Sequence, residues 1–320
     1  MIYSFGTNPR PCFASVGVCF IDIDFTRAFA LYQAQRPFYP KISDPVSPLE
    51  TDGLQDAIRD IDVVMLDAFG VLHAGQDALP GAVETVSAVR SSGRSIRVVS
   101  NDATREKADL LSAYEARGFD FNEAEIVASV DLIPEELARY PDDMTWGVVS
   151  RDNWLPNCLS GKFEIIDSQT SNFDRYDGFF FIATFGWETA DTERLAASLT
   201  HKARPVVVAN PDIAAPRSDG PMSTPPGFAA ARLQELTGIA PHYFGKPFSN
   251  MFQRAMNQFP EVAADRFLMV GDTLHTDILG ARAQGAKALL LTDTGFLRGQ
   301  DWRSACERSG IWPDFVAKSI

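Results

Sequence analysis

The sequence predicts an α/β protein built on a parallel sheet, with a second α/β unit inserted into the chain. Three observations carry that prediction. Short apolar runs recur at Val63–Leu66 and Phe267–Val270, and at Ile96–Val99 with Arg97 as the one interruption. Such runs are too short for helices and suit strands buried on both faces of a parallel sheet. Each ends abruptly in polar residues: Asp67, Ser100-Asn101, and Asp272 after Gly271. Helix-period segments separate the runs, giving strand–helix–strand units of the right-handed kind.

Composition narrows the class. A chain of 320 residues suits one large domain or two ordinary ones. The net charge of −13, from 29 Lys and Arg against 42 Asp and Glu, argues against a nucleic-acid or anionic-membrane surface. It does not argue against a small phosphate, which needs only a local cation and backbone N–H groups. Cys12, Cys19, Cys158 and Cys306 show no metal-knuckle or redox-pair spacing, so a reducing cytoplasm is expected. No apolar run approaches the roughly 20 residues that span a bilayer. Phe13–Ile21 is apolar but follows no basic segment and runs into Asp22 and Asp24, so no signal peptide is expected.

In chain order, residues 1–52 form an N-terminal extension interrupted by Pro9, Pro11, Pro37, Pro40, Pro45 and Pro48, with no helical period read in it. Its run Val18–Ile21, ending at Asp22 and Asp24, imitates an acidic strand end. It lacks the glycine turn and the following strand, so an edge strand or loose extension is expected there. Leu54–Asp60 reads as a short helix feeding the Asp67 strand. Pro80-Gly81 opens a helix with Ala82, Val86 and Val89 in period, ended at Ser91-Ser92-Gly93. Residues 96–99 form the next strand and 104–117 the next helix. A second alternating series starts near Phe121, with strands at 126–128, 146–149, 164–166, 178–182 and 206–208. Thr192–Lys202 is helical between the last two. Asn210-Pro211-Asp212 follows, then a proline- and serine-rich loop over 216–226 and a helix over 228–236. The remainder reads as helix 249–259, strand 266–270, helix 276–284 and strand 288–291. The expected division is 53–122 and 241–320 for the core and 123–240 for the inserted unit.

Four strand ends carry chemistry: Asp67; Ser100-Asn101; Gly245-Lys246-Pro247 after His242–Phe244; and Gly271-Asp272 through Thr276-Asp277. Singly, each admits a structural reading, with Ser100 or Asn101 a helix cap, Lys246 a surface cation and Asp272 a turn residue. Jointly they supply a nucleophilic carboxylate, a hydroxyl, a lysine and two further carboxylates. Those are the parts needed to hold a magnesium phosphate and displace its ester oxygen.

These stretches resemble the four motifs of the haloacid dehalogenase (HAD) superfamily, in order and with family-like spacing. Ser100 follows Asp67 by 33 positions, too few for a cap domain, whereas Lys246 follows Asn101 by 145. That arrangement resembles the class with the cap inserted after the second motif, which includes nitrophenyl and sugar phosphatases. Gly70-Val71-Leu72, Pro80-Gly81-Ala82 and Asn210-Pro211-Asp212 match it too, and the resemblance spans about residues 60 to 300. It implies a Rossmann-like core under an α/β cap, and hydrolysis of a small phosphorylated metabolite through an aspartyl-phosphate on Asp67. It further implies Mg²⁺ held by Asp67, the Phe69 carbonyl, Asp272 and Asp277. Ser100 and Lys246 would bind the phosphoryl oxygens with Asn101 beside them, while Asn210 and Asp212 reach the leaving group from the cap. A homodimer is compatible with this reading.

One position departs from the pattern. HAD phosphatases carry a second aspartate two residues after the nucleophile, as acid and then base; here Phe69 stands there. The first explanation is that another group substitutes, His73 and His275 being the nearby candidates in sequence, although a solvent-facing histidine without a role is the expectation for each. A substrate with a good leaving group is the second explanation, and a weakly active phosphate-binding protein the third. A haloacid-type dehalogenase is the rival chemistry, since halide leaves without a proton. Its class places the cap between the first two motifs, where this chain has no room.

Overall fold

The computed structural model describes residues 23–42, 46–151, 154–159, 161–217 and 220–320. The expected strand at 18–21, Asp22, Cys12 and Cys19 lie outside the described residues.

Seven parallel strands form the larger sheet, in the order Leu49–Glu50, Phe315–Ala317, Lys287–Leu291, Phe267–Gly271, Val63–Leu66, Ser95–Ser100 and Ile126–Ala128. The three apolar runs that predicted the sheet are adjacent at its centre, where burial on both faces demands continuous apolar sequence. Leu66 lies opposite Val270 on one side and Val98 on the other, so the polar residues that follow emerge along one rim. A second sheet of five parallel strands runs His242–Tyr243, Val206–Val208, Gly178–Phe181, Thr145–Val149 and Lys162–Ile165. It has its own aromatic core, with Phe173, Tyr176, Phe179, Phe181 and Trp187 buried together. Among the described residues no helix is long and apolar enough to cross a membrane.

Several expectations are corrected. Ile126–Ala128, assigned to the inserted unit, pairs with Val98–Ser100 as the edge of the core sheet. His242–Tyr243, assigned to the core, pairs with Val207–Val208 in the second sheet. Strands of two or three residues carry no side-chain pattern by which to choose a sheet, so only the paired backbone decides. The loop expected over 216–226 contains an antiparallel hairpin, Ala215–Arg217 with Gly220–Ser223, before a helix at Pro226–Thr237. The helix expected at 276–284 opens as a π-turn over Leu274–Ile278 and becomes α-helical over Leu279–Ala283.

The largest correction concerns the extension. Phe25–Gln35 is an α-helix, capped by Asp24, whose side chain accepts a hydrogen bond from Arg27 N at 2.8 Å. That cap is the local role of Asp24. Phe25, Ala28, Phe29 and Tyr32 follow the i, i+3, i+4, i+7 period of an amphipathic helix, a signal masked by the surrounding prolines. Phe29 and Tyr32 are fully buried against the core. Leu49–Glu50 then joins the core sheet. Residues 24–42 and 46–50 are therefore part of the packed structure.

Removing the Phe29 ring should cost about 3–5 kcal/mol of unfolding free energy, the range for truncating a buried aromatic residue. Urea denaturation of Phe29→Ala measures it, and a change under 1 kcal/mol would mean the helix is only loosely attached.

Candidate active site

Adjacent strands bring the predicted residues to one rim. Asp67 follows Val63–Leu66, and its backbone N–H continues the ladder to Val270 O at 2.9 Å. Its Oδ1 accepts from Ala68 N at 2.7 Å and from Lys246 Nζ at 2.5 Å. Lys246 Nζ also lies 2.7 Å from Asp277 Oδ1. Asp272 Oδ2 accepts from Phe296 N at 2.6 Å, and its Oδ1 accepts from the Thr273 hydroxyl at 3.2 Å. The π-turn folds Asp277 back so that its Oδ2 accepts from Thr273 N at 3.1 Å. Room for Asp272 comes from Gly70 and Gly295, both with positive φ. A Cβ on either would stand within 2.6 Å of Asp272 Oδ2.

One oxygen each from Asp67, Asp272 and Asp277 can be chosen so that all lie within 4.8 Å of one another. Lys246 is the cation among them, so three carboxylates leave two negative charges uncompensated when all are ionised. Burial first, and then repulsion from Asp277, raises Asp67 to about 7 even though Lys246 pulls it down. Asp272 is raised well above the carboxylate range by burial and by its two acidic neighbours. Burial opposes the Lys246 ammonium, but Asp277, Asp67 and Asp212 outweigh it and hold the group charged. Oxygen-only donors carrying excess negative charge suit a hard divalent cation, so the donor set fits the expected ion.

Above this cluster lies a cavity of about 400 Å³ between the two sheets' units. Asp67, Phe69, Ser100, Asn101, Asn210 and Asp212 all line it, whereas Lys246, Asp272 and Asp277 lie behind its wall. Asn101 acts as a junction. Its Oδ1 accepts from Lys246 N at 2.6 Å, and its Nδ2 donates to Lys246 O at 3.1 Å and to Asp212 Oδ1 at 3.0 Å. Ser100 Oγ accepts from Asp102 N at 3.2 Å, and Asn210 Oδ1 accepts from Asp212 N at 2.9 Å. Asp212 is raised to about 6, chiefly by burial.

The two imidazoles differ from expectation and from each other. His275 is fully buried, stacked on Tyr32 at 4.8 Å with Phe29 edge-on, and its Nε2 bonds Gln33 Oε1 at 2.8 Å. It does not line the cavity and cannot meet a substrate there. His73 does line the cavity, ring to ring with Phe69 at 5.6 Å. Burial, then the charge of Arg117, lowers it to about 4.

Sequence reasoning missed several residues at this site. Tyr32 accepts a hydrogen bond from Ile213 N at 3.0 Å, beside the Asn210–Asp212 turn. Phe296 donates to Asp272, and Arg105, Tyr114, Arg117 and Trp187 line the cavity. Only the helical period around Tyr32 could have drawn attention to any of them.

Two family models match the chain, one for haloacid dehalogenase-like hydrolases over residues 64–156 and a HAD-hydrolase-like model over 243–320. Four strands of the five-stranded sheet lie partly or wholly outside either match or straddle them. Chronophin from Mus musculus is 28% identical over 277 residues, covering 83% of this chain and 93% of its own. Among solved structures, a possible sugar phosphatase of the HAD superfamily from Cytophaga hutchinsonii is 25% identical with a TM-score of 0.73, covering 85% of this chain and 98% of that one. The p-nitrophenyl phosphatase from Archaeoglobus fulgidus shares the fold at 23% identity, with a TM-score of 0.66 and coverage of 81% and 97%.

The acidic cluster has a pH signature in the metal-free protein. Folded Asp67 keeps its proton up to about pH 7, whereas the unfolded chain sheds it near 3.8. The folded state therefore binds more protons between those values, and stability falls as pH rises through that window. Asp67→Asn should remove this contribution. Its stability relative to wild type should climb from pH 4 to 7 by up to about 1.4 kcal/mol per pH unit. Denaturation in chelator across that range measures it, and a pH-independent difference would refute the raised carboxyl.

Proposed function

We propose, for a chain that belongs to the haloacid dehalogenase superfamily in the class with the cap inserted after the second motif, hydrolysis of a small phosphate monoester at Asp67. Two of the similar proteins above are named as phosphatases, one a possible sugar phosphatase and the other a p-nitrophenyl phosphatase. The observation that carries the proposal for this chain is the pairing of Lys246 with Asp67 inside a three-carboxylate cluster, with Asp67 lining the cavity.

In this reading an Asp67 carboxylate oxygen attacks phosphorus, the ester P–O bond breaks, and an aspartyl-phosphate forms as the alcohol leaves. Water then attacks the phosphorus, returning the carboxylate and releasing phosphate. Mg²⁺ would be held by Asp67, the Phe69 carbonyl, Asp272 and Asp277, and when bound it offsets the repulsion between the carboxylate and the incoming phosphate. Lys246 orients the nucleophile and stabilises charge on the phosphoryl oxygens, with Ser100 as a hydroxyl donor beside it. Asn101 fixes the Lys246 backbone. Asn210 and Asp212 meet the leaving group from the cap side. The substrate class is a sugar, aryl or cofactor phosphate. A cytoplasmic location belongs to the same reading and accords with the free thiols Cys158 and Cys306.

Phe69 shapes the kinetics. A phenyl ring cannot protonate a leaving alkoxide, and such help is worth roughly 10²–10⁴ in rate. Asp212 is the one alternative that an observation favours, being a cavity-lining carboxyl raised to about 6. The dehalogenase alternative is disfavoured by the position of the inserted unit and by the acidic cluster, which a halide-displacing site does not need.

Asp67→Asn should lower phosphate release from 4-nitrophenyl phosphate by about 10³-fold or more, as loss of a nucleophile does elsewhere. Undiminished turnover would move the nucleophile to another residue. Chelation of divalent cations should abolish turnover, and haloacids should release no halide. Rates should rise steeply with the acidity of the leaving alcohol, and Phe69→Asp should accelerate alkyl phosphates by roughly 10²-fold. A flat leaving-group profile that becomes steep in Asp212→Asn would identify Asp212 as the acid. Tight phosphate binding with no release at any metal concentration would leave a binding protein instead.

A further inference from the structure

The cavity also carries positive charge that the proposed hydrolysis of a phosphate group does not use. Arg105 and Arg117 both line it. Arg117 donates to two neutral acceptors, Ala113 O at 2.5 Å and Gly75 O at 2.7 Å, and its buried Nε has no hydrogen-bond partner. Arg105 Nε stands 3.3 Å from Asp102 Oδ2 without the alignment of a hydrogen bond. That carboxylate is already shared, its Oδ1 accepting from Thr104 N at 2.8 Å and from the Thr104 hydroxyl at 2.7 Å. Arg105 thus shares its carboxylate with Thr104, and Arg117 has no ion pair among the described residues, with Asp77 acting on it only at longer range. In a chain of net charge −13, an under-compensated arginine pair inside a cavity is the exception that needs a ligand.

Phe69 and Tyr114 line the cavity with the His73 ring between them, edge-on at 5.6 and 6.1 Å from each. His73 is held neutral beside the arginines. A ligand seated in this cavity can meet Asp67 and Ser100 as well as the two guanidiniums.

We propose that Arg105 and Arg117 form a second anion subsite, so that the preferred substrate is a phosphate monoester whose leaving group bears its own carboxylate or phosphate. The inference deepens the phosphatase reading and rests on it. Planar guanidiniums recognise either anion through paired N–H donors, and the chemistry shared by the two is what the subsite selects. The subsite also sets the length of the leaving group, since both charges must be reached at once.

A matched three-carbon series separates the possibilities: propyl phosphate, 3-phosphonooxypropionate and propane-1,3-diol bisphosphate, each used as an inhibitor of 4-nitrophenyl phosphate hydrolysis. The doubly charged compounds should bind about tenfold or more tighter than propyl phosphate, and whichever arm gains more identifies the anion. In Arg117→Gln, and independently in Arg105→Gln, their inhibition constants should converge on that of propyl phosphate. The second variant guards against misfolding, because Arg117 also ties two backbone carbonyls. Equal inhibition by all three compounds in the wild type, or an undiminished preference in both folded variants, overturns the subsite. Titration calorimetry of the same compounds with Mg²⁺ present reads the preference even without turnover. Failure to release nitrophenolate would therefore count against the phosphatase reading alone.

Discussion

A single buried ammonium among three carboxylates, Asp272 and Asp277 buried and Asp67 partly so, governs the arrangement of this rim. Lys246 touches Asp67 and Asp277 together, and Asp272 stands within reach of both. Buried like charges repel strongly, and removing them from water costs several kcal/mol per ion, so such a group persists only with compensating partners. The neighbouring backbone is arranged to supply them. Ala68 N, Thr273 N and Phe296 N each donate to one of the three carboxylates. Two glycines give Asp272 its space, and the π-turn returns Asp277 to the cluster. The remaining negative charge is the property that suits a hard divalent cation.

The cap is tied to that cluster through Asn101. One amide side chain spans the backbone of Lys246 and the carboxylate of Asp212, joining the end of a core strand, the lysine loop and the cap turn. Lys246 itself follows a strand of the second sheet, not of the core sheet. Lys246 and the roof of the cavity therefore share a backbone element, and the lysine's position depends on how the second sheet's unit sits. This coupling gives physical content to the insertion of the cap between the second and third motifs.

Much of the core was legible because its central strands are buried on both faces. Val63–Leu66 and Phe267–Val270 could be read as strands, and the polar residues after them as a rim, since burial imposes apolar continuity and its end is abrupt. Short edge strands were not legible in the same way. Ile126–Ala128 and His242–Tyr243 were assigned to the wrong units because three or two residues cannot record which backbone they pair with. Asp67, Asp272 and Asp277 were recognisable by residue type at strand ends. Arg105 and Arg117 were not, because surface helices are rich in arginine and only the fold turns these two toward a cavity. His275 looked like a neighbour of the chemistry; its adjacency in sequence conceals a side chain that points to the far side of the turn.

The Phe25–Gln35 helix touches three separate parts of the molecule. It stacks Tyr32 on His275 in the acidic turn, sets Phe25 against Phe296, and accepts the Ile213 N–H at the cap turn. Its grip on the core is aromatic and deeply buried, and it meets the second unit through that hydrogen bond and through Arg27 over the Phe228 ring. The helix thus acts as a strut between the acidic turn and the roof of the cavity, so that neither can shift without its buried rings being repacked.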